Sequence, residues 1–339
     1  MNPLSAPLVF FIGLVGIYLI FRPEKGFYYQ LKQYYLQDKK TVTEDILKML
    51  FHAENEGKSI DVAIILNRFD NRDKNTIIQV LEKIEGERLI KTTGETISLT
   101  DAGRDYALKI IRVHRLWEKY LSEKTGYDKS EWHERAETME HLLTEKDVDN
   151  LAIKLGNPRF DPHGDPIPTK RGELPAKTGR PLTSFKAGTI GRISHIEDEP
   201  DVIYRQILAE ELHIGSQLKI IESNERKIKL FSEGEEYVLA PIVAANITLV
   251  ELEKNEVSTK NEIRLSNLKT GEKAIILGIS QECKGEIRRR LLDLGFVPGT
   301  EIGIDLTSPM GDPTAYSIRN TIIAIRNEQA KLILIEKLN

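Results

Sequence analysis

The sequence predicts an α+β chain of several units. It should hold an apolar N-terminal helix, a helix–turn–helix with a β-hairpin, two His- and Glu-bearing helices and two small strand-rich domains. Three observations predict this. The 339 residues exceed what one ordinary small core organises. Apolar spacing is helical in the first half and alternates in later patches such as Lys331–Glu336. The C-terminal half also repeats itself. LTSFKAG (Leu182–Gly188) aligns with LSNLKTG (Leu265–Gly271), and ILAEELHIGSQLKI (Ile207–Ile220) aligns with LLDLGFVPGTEIGI (Leu291–Ile304) after one extra residue. Each copy runs strand, short helix, then several strands over about 70–75 residues, short enough for a small β-barrel.

The first element is Leu4–Phe21, LSAPLVFFIGLVGIYLIF, which carries no charge. As a helix it would span about 27 Å, enough for a bilayer core. No Lys or Arg precedes it, as a signal peptide would need, while Arg22 and Lys25 follow it. The reading is a single-pass anchor over residues 1–22 in the cell inner membrane, with the C-terminal bulk in the cytoplasm. Residues 23–40 are an aromatic and polar connector. Beyond the anchor the composition is that of a folded protein, with 29% charged residues and a formal charge of −4. A single cysteine, Cys283, excludes an internal disulfide and a thiolate metal cluster.

Residues 43–57 read as a helix with Ile46, Met49, Leu50 and Ala53 on one face. Ser59 would cap a second helix, and a third follows the FDNRD turn from about Asp73 to Gly86. Lys91–Ser98 alternates around Thr93, Gly94 and Glu95 as a hairpin. This order is that of a winged helix, assigned to residues 41–105. Its recognition helix would present Arg72, Lys74, Asn75, Thr76 and Gln79 to a major groove, with Lys91 and Thr93 on the wing. Charge argues the other way. From Lys40 to Lys109 there are 11 Lys/Arg and 13 Asp/Glu, whereas DNA affinity rests largely on phosphate neutralisation.

Thr100 should cap a long helix to about Lys124, on which His114 and Glu118 share a face. The next helix, from about Lys129, contains WHERAETMEH, placing His133, Glu137 and His141 at i, i+4, i+8 with Glu140 beside them. Such a face is either a solvated stripe or a set of metal ligands, and spacing leaves both open. Imidazole and carboxylate without thiolate suit Mn²⁺, Fe²⁺ or Zn²⁺. The apolar stripe Trp132, Ala136, Met139, Leu143 lies beside it as intramolecular core or a dimer seam. These helices form a unit over residues 106–165, and the Gly- and Pro-rich stretch 166–181 reads as a linker. An H-E-x-x-H arrangement, a nucleophile elbow and a P-loop are all missing, so an enzyme is the weakest reading.

Residues 40–168 resemble the DtxR family of iron- and manganese-dependent transcriptional repressors. The stretches that carry the resemblance are TEDIL (Thr43–Leu47), LTDAGR (Leu99–Arg104), RVHRLWE (Arg112–Glu118), the WHERAETMEH helix and HGDPIP (His163–Pro168). The resemblance implies a winged-helix DNA-binding unit, a homodimerising helical unit and a metal-operated switch. By matching position it implies one metal site at Asp45, Glu137, Glu140 and His141 and a neighbouring one at His114, Glu118 and His133. Iron-type members place a Met and a Cys where this chain has Asp45 and Glu137, so the ligand set resembles the manganese type. Lys48 departs from it, standing where manganese-type members carry a further carboxylate. Ile78 stands where the family usually shows a small polar residue.

The second C-terminal copy (residues 262–339) resembles the FeoA family through RLLDLGFVPGT (Arg290–Thr300) and PMGDP (Pro309–Pro313), which implies an SH3-like barrel associated with ferrous-iron uptake. The first copy (residues 182–252) is similar to the SH3-like C-terminal domain of larger DtxR members, which can reach back to the second metal site. Ungapped placement puts His195 and Asp198 at those two positions, while His163 reads as a turn residue. Two functions follow. One is a membrane-tethered, Mn²⁺- or Fe²⁺-dependent DNA-binding repressor of metal-uptake genes. The other is a metal-sensing membrane protein that regulates a ferrous-iron transporter through its FeoA-like domains.

Overall fold

The structure, a computed structural model, describes residues 27–70, 72–253 and 262–338. The expected anchor over residues 1–22 lies outside the described residues. Among the described residues no helix is long and apolar enough to cross a membrane. The chain divides into two compact units: residues 1–113 with 138–143 and 170–172, and residues 114–137 with 144–169 and 173–339.

In the first unit, α1 (Phe27–Asn55) extends well N-terminal of the helix expected from residue 43. It buries Val42, Ile46, Leu47 and Leu50. A two-residue strand, β1 (Ile60–Asp61), precedes α2 (Val62–Arg68), and the cap is Asp61 rather than Ser59: its carboxylate accepts from Ile64 N at 2.7 Å. Helix α3 (Lys74–Gly86) is capped by Asp73, which accepts from Thr76 N, and buries Ile77, Val80, Leu81 and Ile84 at helical spacing. Strands β2 (Ile90–Thr93) and β3 (Thr96–Leu99) form the hairpin, and β1 joins β3 in a three-stranded antiparallel sheet. One cluster from Val42 to Ile111 forms the core beneath them. Thr100 Oγ1 accepts from Gly103 N at 3.1 Å and starts α4 (Asp101–Lys124).

A short 3-10 turn (Lys129–Glu131) leads into α5 (Trp132–Glu140). The helix ends one residue before His141, so the expected i, i+4, i+8 face is broken there. Boundaries between the units fall within α4, after Val113, and within α5, after Glu137. Helix α6 (Glu145–Lys154) follows behind a Thr144–Asp147 capping box.

The second unit contains two six-stranded antiparallel sheets of the same topology. The first joins β4 (Arg180–Pro181), β5 (Ile190–Ile196), β6 (Gln217–Ser223), β7 (Ile228–Ser232), β8 (Glu235–Leu239) and β9 (Ile247–Glu251) in the order β4-β9-β5-β6-β7-β8. It carries α7 (Asp201–Ala209) and α8 (Pro241–Ala244). The second joins β10 (Ile263–Arg264), β11 (Lys273–Ile279), β12 (Glu301–Thr307), β13 (Thr314–Ile318), β14 (Thr321–Ile325) and β15 (Ile333–Lys337) as β10-β15-β11-β12-β13-β14, with α9 (Gly285–Asp293) and α10 (Asn327–Ala330). The repeat read from sequence is thus a repeat of topology. Among the described residues the sheets are open, however: β4 and β8, or β10 and β14, end each sheet and do not pair with each other, so neither is the closed barrel that was expected.

A buried polar network joins the two copies. Arg264, 2% exposed, donates through Nε to Glu233 at 3.0 Å and through Nη1 to Glu211 at 2.5 Å. His213 Nε2 lies 2.9 Å from Ser216 Oγ and 2.9 Å from Ser280 Oγ. Removing one partner of a buried ion pair leaves the other charge unsatisfied, at a cost of about 3–5 kcal/mol. Arg264→Ala is therefore expected to lower the stability of this unit by about that amount in urea denaturation. A loss below about 1 kcal/mol would show that the network contributes little.

Candidate metal centre

Two clusters of nitrogen and oxygen donors form, one in each unit. In the first, one donor atom from each of Asp45, Glu140 and His141 lies within 4.8 Å of the others. Asp45 comes from α1. Glu140 is the last residue of α5 and His141 the first beyond it, so the helix end turns both side chains toward α1. His141 Nε2 is 3.3 Å from Asp45 Oδ1 and 3.7 Å from Glu140 Oε1. Its other nitrogen, Nδ1, is 2.6 Å from Glu44 Oε2, and Tyr106 in turn donates to Glu44 at 2.9 Å. That outer carboxylate fixes the ring and leaves Nε2 for the cluster, an arrangement common behind metal-bound imidazoles.

Lys48 is the departure noted in the sequence, and it has a direct structural consequence. Its Nζ donates to both oxygens of Glu140, at 2.8 and 3.1 Å, and Glu140 is 4% exposed. A built-in cation thus holds one candidate ligand. The carboxylate of Glu137 lies 3.3 Å from His133 Nε2.

The second cluster surrounds Glu118, which is 2% exposed. His114 Nε2 is 3.2 Å from Glu118 Oε1 and His133 Nδ1 is 3.6 Å away. These three side chains form one set of converging donors, and Glu118, His163 and Asp198 form another. Asp198 Oδ2 is 3.2 Å from His133 Nδ1. His163, read from sequence as a turn residue, points Nε2 at Glu118 (3.9 Å) and Asp198 (4.0 Å). That nitrogen is buried and has no hydrogen-bond partner, the environment a metal ligand needs. His195 faces Asp165 instead, at 3.4 Å, and is in neither set.

Local backbone explains why His163 and not His195 converges. Arg115 donates to Pro166 O at 2.6 Å and lies 3.4 Å from Asp165, pinning the HGDPIP loop. Ile196 N donates to His163 O at 2.9 Å, fastening the loop to β5. Gly164 sits at φ +90, and a Cβ there would stand 2.2 Å from Ser194 O. Only glycine allows this approach. The glycine and two prolines of HGDPIP flag a fixed turn directly after a histidine, but not where that histidine points.

Burial raises the pKa of Glu118, but His114, His133 and His163 outweigh it and hold the carboxyl well below its usual range. Burial lowers that of His141, yet Asp45, Glu44 and Glu140 raise it to about 9. The neighbouring carboxylates therefore favour the imidazolium until a stronger cation replaces the proton. All donors are imidazole or carboxylate, and Cys283 is buried in the core of the second sheet. This set fits hard to borderline divalent ions.

The sequence-selected DNA residues lie on α3 and the wing, with Arg72 just before α3. Lys74, Asn75, Gln79, Lys91 and Thr93 are exposed and Thr76 is half-buried. Arg72 pairs with Asp38, and Lys39 donates to Gln79 at 3.0 Å, so part of this face is engaged internally.

The "Iron dependent repressor, metal binding and dimerisation domain" family model matches residues 100–169 and the FeoA domain model matches residues 263–337. The iron-dependent repressor IdeR of Mycobacterium leprae is 30% identical over 185 residues, which cover 50% of this chain and 80% of that protein. The chain belongs to the iron-dependent repressor family. IdeR of Mycobacterium tuberculosis is 29% identical over 208 residues, covering 54% of this chain and 90% of the relative. A probable metal transport system membrane protein of Chlamydia trachomatis is 42% identical over 82 residues, but the chain spans only 18% of it and 24% of its own length is covered. Among solved structures, a manganese-dependent transcriptional repressor in complex with manganese superposes with a TM-score of 0.56 at 28% identity, covering 62% of this chain and all of that one. ScaR with bound Cd²⁺ gives 0.53 at 26%, covering 62% and 99%. Family members of this kind are repressors, not enzymes.

Two outcomes follow from the geometry. Metal binding at the first centre must displace the His141 proton, so at pH 7.5 it is expected to release protons. Calorimetry in buffers of different ionisation enthalpy would detect this, and buffer-independent heats would contradict it. Lys48→Met removes the competing cation from both oxygens of Glu140. Its Mn²⁺ affinity in titration is expected to rise about tenfold or more, or about 1.4 kcal/mol. An unchanged or weaker affinity would show that Lys48 does not compete.

Proposed function

We propose that this protein is a Mn²⁺- or Fe²⁺-dependent DNA-binding repressor of metal-uptake genes that acts as a homodimer. The observation that carries this reading is the convergence of Asp45, Glu140 and His141. Asp45 lies on the first helix of the winged-helix fold, and the other two close the helix of the family's metal-binding region. One cation bonded to all three ties α1 to residues 138–143, whereas without it Lys48 and the His141 imidazolium offset the carboxylates. A ligand that binds one arrangement better shifts the population towards it. In a dimer this sets the spacing of the two α3 helices against two half-sites. Manganese is favoured by oxygen-rich ligands at the first centre and by relatives described as manganese-dependent. Residues Lys74, Asn75, Thr76, Gln79, Lys91 and Thr93 would make the DNA contacts, and Arg72 would do so on release from Asp38.

The apolar run Leu4–Phe21, followed by Arg22 and Lys25, supports tethering to the inner membrane with the remaining chain in the cytoplasm. The Chlamydia relative described as a metal transport system membrane protein favours a second reading, in which the FeoA-like domain contacts a metal transporter.

Asp45→Ala removes a ligand without touching α3. It is expected to abolish most of the Mn²⁺ stimulation of binding to genomic DNA fragments, while metal-free binding stays as in the wild type. Undiminished stimulation would contradict the switch. Metal binding without DNA binding under any condition would favour the transporter reading.

A further inference from the structure

The second unit holds a cavity of about 380 Å³, within the size range of small-molecule sites. Its lining comes from α4 and the turn after it, from α7 of the first copy, and from the Gln281–Lys284 loop that leads into α9 of the second. Junctions of this kind are where ligand pockets concentrate. The metal centres do not account for it: of the residues in the converging donor sets, His163 alone lines it. One wall is apolar, with Trp132, Tyr204, Leu208, Leu212 and Ile214. The indole Nε1 of Trp132 donates to Tyr127 O at 3.0 Å, so its one polar atom is satisfied outside the cavity's needs. The His163 ring meets those of Trp132 and Tyr204 in edge contacts, with centroids 6.0 and 5.3 Å apart. That wall is fixed before any ligand arrives.

The polar lining is cationic. Lys119, Lys129 and Lys284 belong to it, with Ser122, Gln281 and Glu282. Lys129 donates to Glu282 at 2.6 Å, and Lys119 pairs with Glu123 at 3.3 Å. Lys284 makes no ion pair among the described residues. Arg288 lies near it and donates to Ile279 O and Ser280 O, each at 3.2 Å, rather than to a carboxylate. Four cations thus share two carboxylates. The acids behind them, Glu211 and Glu233, are held by Arg264 and Lys331. Lys177 and Asp161 also line the cavity, but each is already matched. Lys177 pairs with Asp165 at 2.7 Å, and Asp161 accepts from His163 N and Asp165 N at 2.8 Å beside Arg115. Partial burial lowers the pKa of Lys284, and the ammonium of Lys119 lowers it further. An anion between these two ammoniums relieves their repulsion, whereas a cation would add to it.

We propose that this cavity binds a small organic acid, its carboxylate between Lys119 and Lys284 and its apolar body against Trp132, Tyr204 and Leu208. An uncharged ligand would leave Lys284 without a counter-charge, and a bare inorganic anion would leave the apolar wall uncovered. Charge-assisted hydrogen bonds to the ammoniums supply orientation, and burial of the apolar body supplies most of the affinity. An acid held in this way touches α4, α7 and the Gln281–Lys284 loop together, and so ties both copies to the helical region of the second unit. This inference does not depend on the metal switch.

The test is calorimetric titration of the full-length chain in lipid nanodiscs, with empty nanodiscs as the blank. The probes are acid and amide pairs of matched shape: benzoate and benzamide, indole-3-acetate and indole-3-acetamide, octanoate and octanamide. At least one acid is expected to bind with 1:1 stoichiometry, about tenfold or more tighter than its amide and than acetate, and to raise the melting temperature. Lys284→Gln and Lys119→Gln are each expected to weaken that acid about fivefold or more and to leave any amide binding unchanged. Lys186→Gln, at an exposed lysine outside the cavity, is expected to alter neither. Lys284→Gln is also expected to keep the wild-type melting temperature and Mn²⁺ affinity, which separates loss of the site from loss of the fold. Acids and amides binding alike, or neither binding, would overturn the proposal. Acetate binding as tightly as the larger acids would overturn it in favour of simple anions. Acid binding indifferent to both lysine variants would place the ligand elsewhere and overturn it as well.

Discussion

A carboxylate buried at the end of a long helix is the constraint on which the metal-binding half of the molecule depends. Glu118 is almost fully enclosed, and an ion taken from water costs several kcal/mol unless partners replace its hydration. Three imidazoles and the carboxylate of Asp198 surround it, drawn from α4, α5, the HGDPIP loop and the end of β5. Two acids facing three histidines are stable only with protons on the imidazoles or a divalent cation among them. The fold supplies rigid supports for this, with Arg115 on the loop and Gly164 against β5.

The two centres differ in what holds them without metal. Around Glu118 the positive charge must come from imidazolium groups. At Asp45, Glu140 and His141 it comes from Lys48 as well as His141. A lysine cannot dissociate from the chain, so the first centre retains part of its cohesion when metal is scarce and demands a competing ion to change state. A lower apparent metal affinity is the physical consequence: the ion must displace a tethered ammonium and a proton.

Much of the first half was legible in the sequence because its signals are local. Apolar spacing gave α3 and Thr100 gave the start of α4, while the two clusters, which spacing left open, came from the resemblance to the repressor family. What was not legible depended on chain reversals. His163 needs the fixed turn of HGDPIP to reach Glu118, and His195, chosen by ungapped placement, lies against Asp165, beside a register shift in β5 between Ile193 and His195. The end of α5 before His141 divides residues that periodicity had put on one face. The repeat predicted two equivalent domains, and the topologies agree. Closure into barrels did not follow, since end-strand pairing is a long-range property that alternation cannot report.

A crystal of the full-length protein grown with Mn²⁺, with diffraction recorded on both sides of the manganese absorption edge, addresses the central claim most directly. The account predicts two anomalous peaks, one bounded by Asp45, Glu140 and His141 and one at Glu118 with His163 among its ligands. A well-ordered structure with manganese elsewhere, or with Glu118 still bonded only to its histidines, would contradict it.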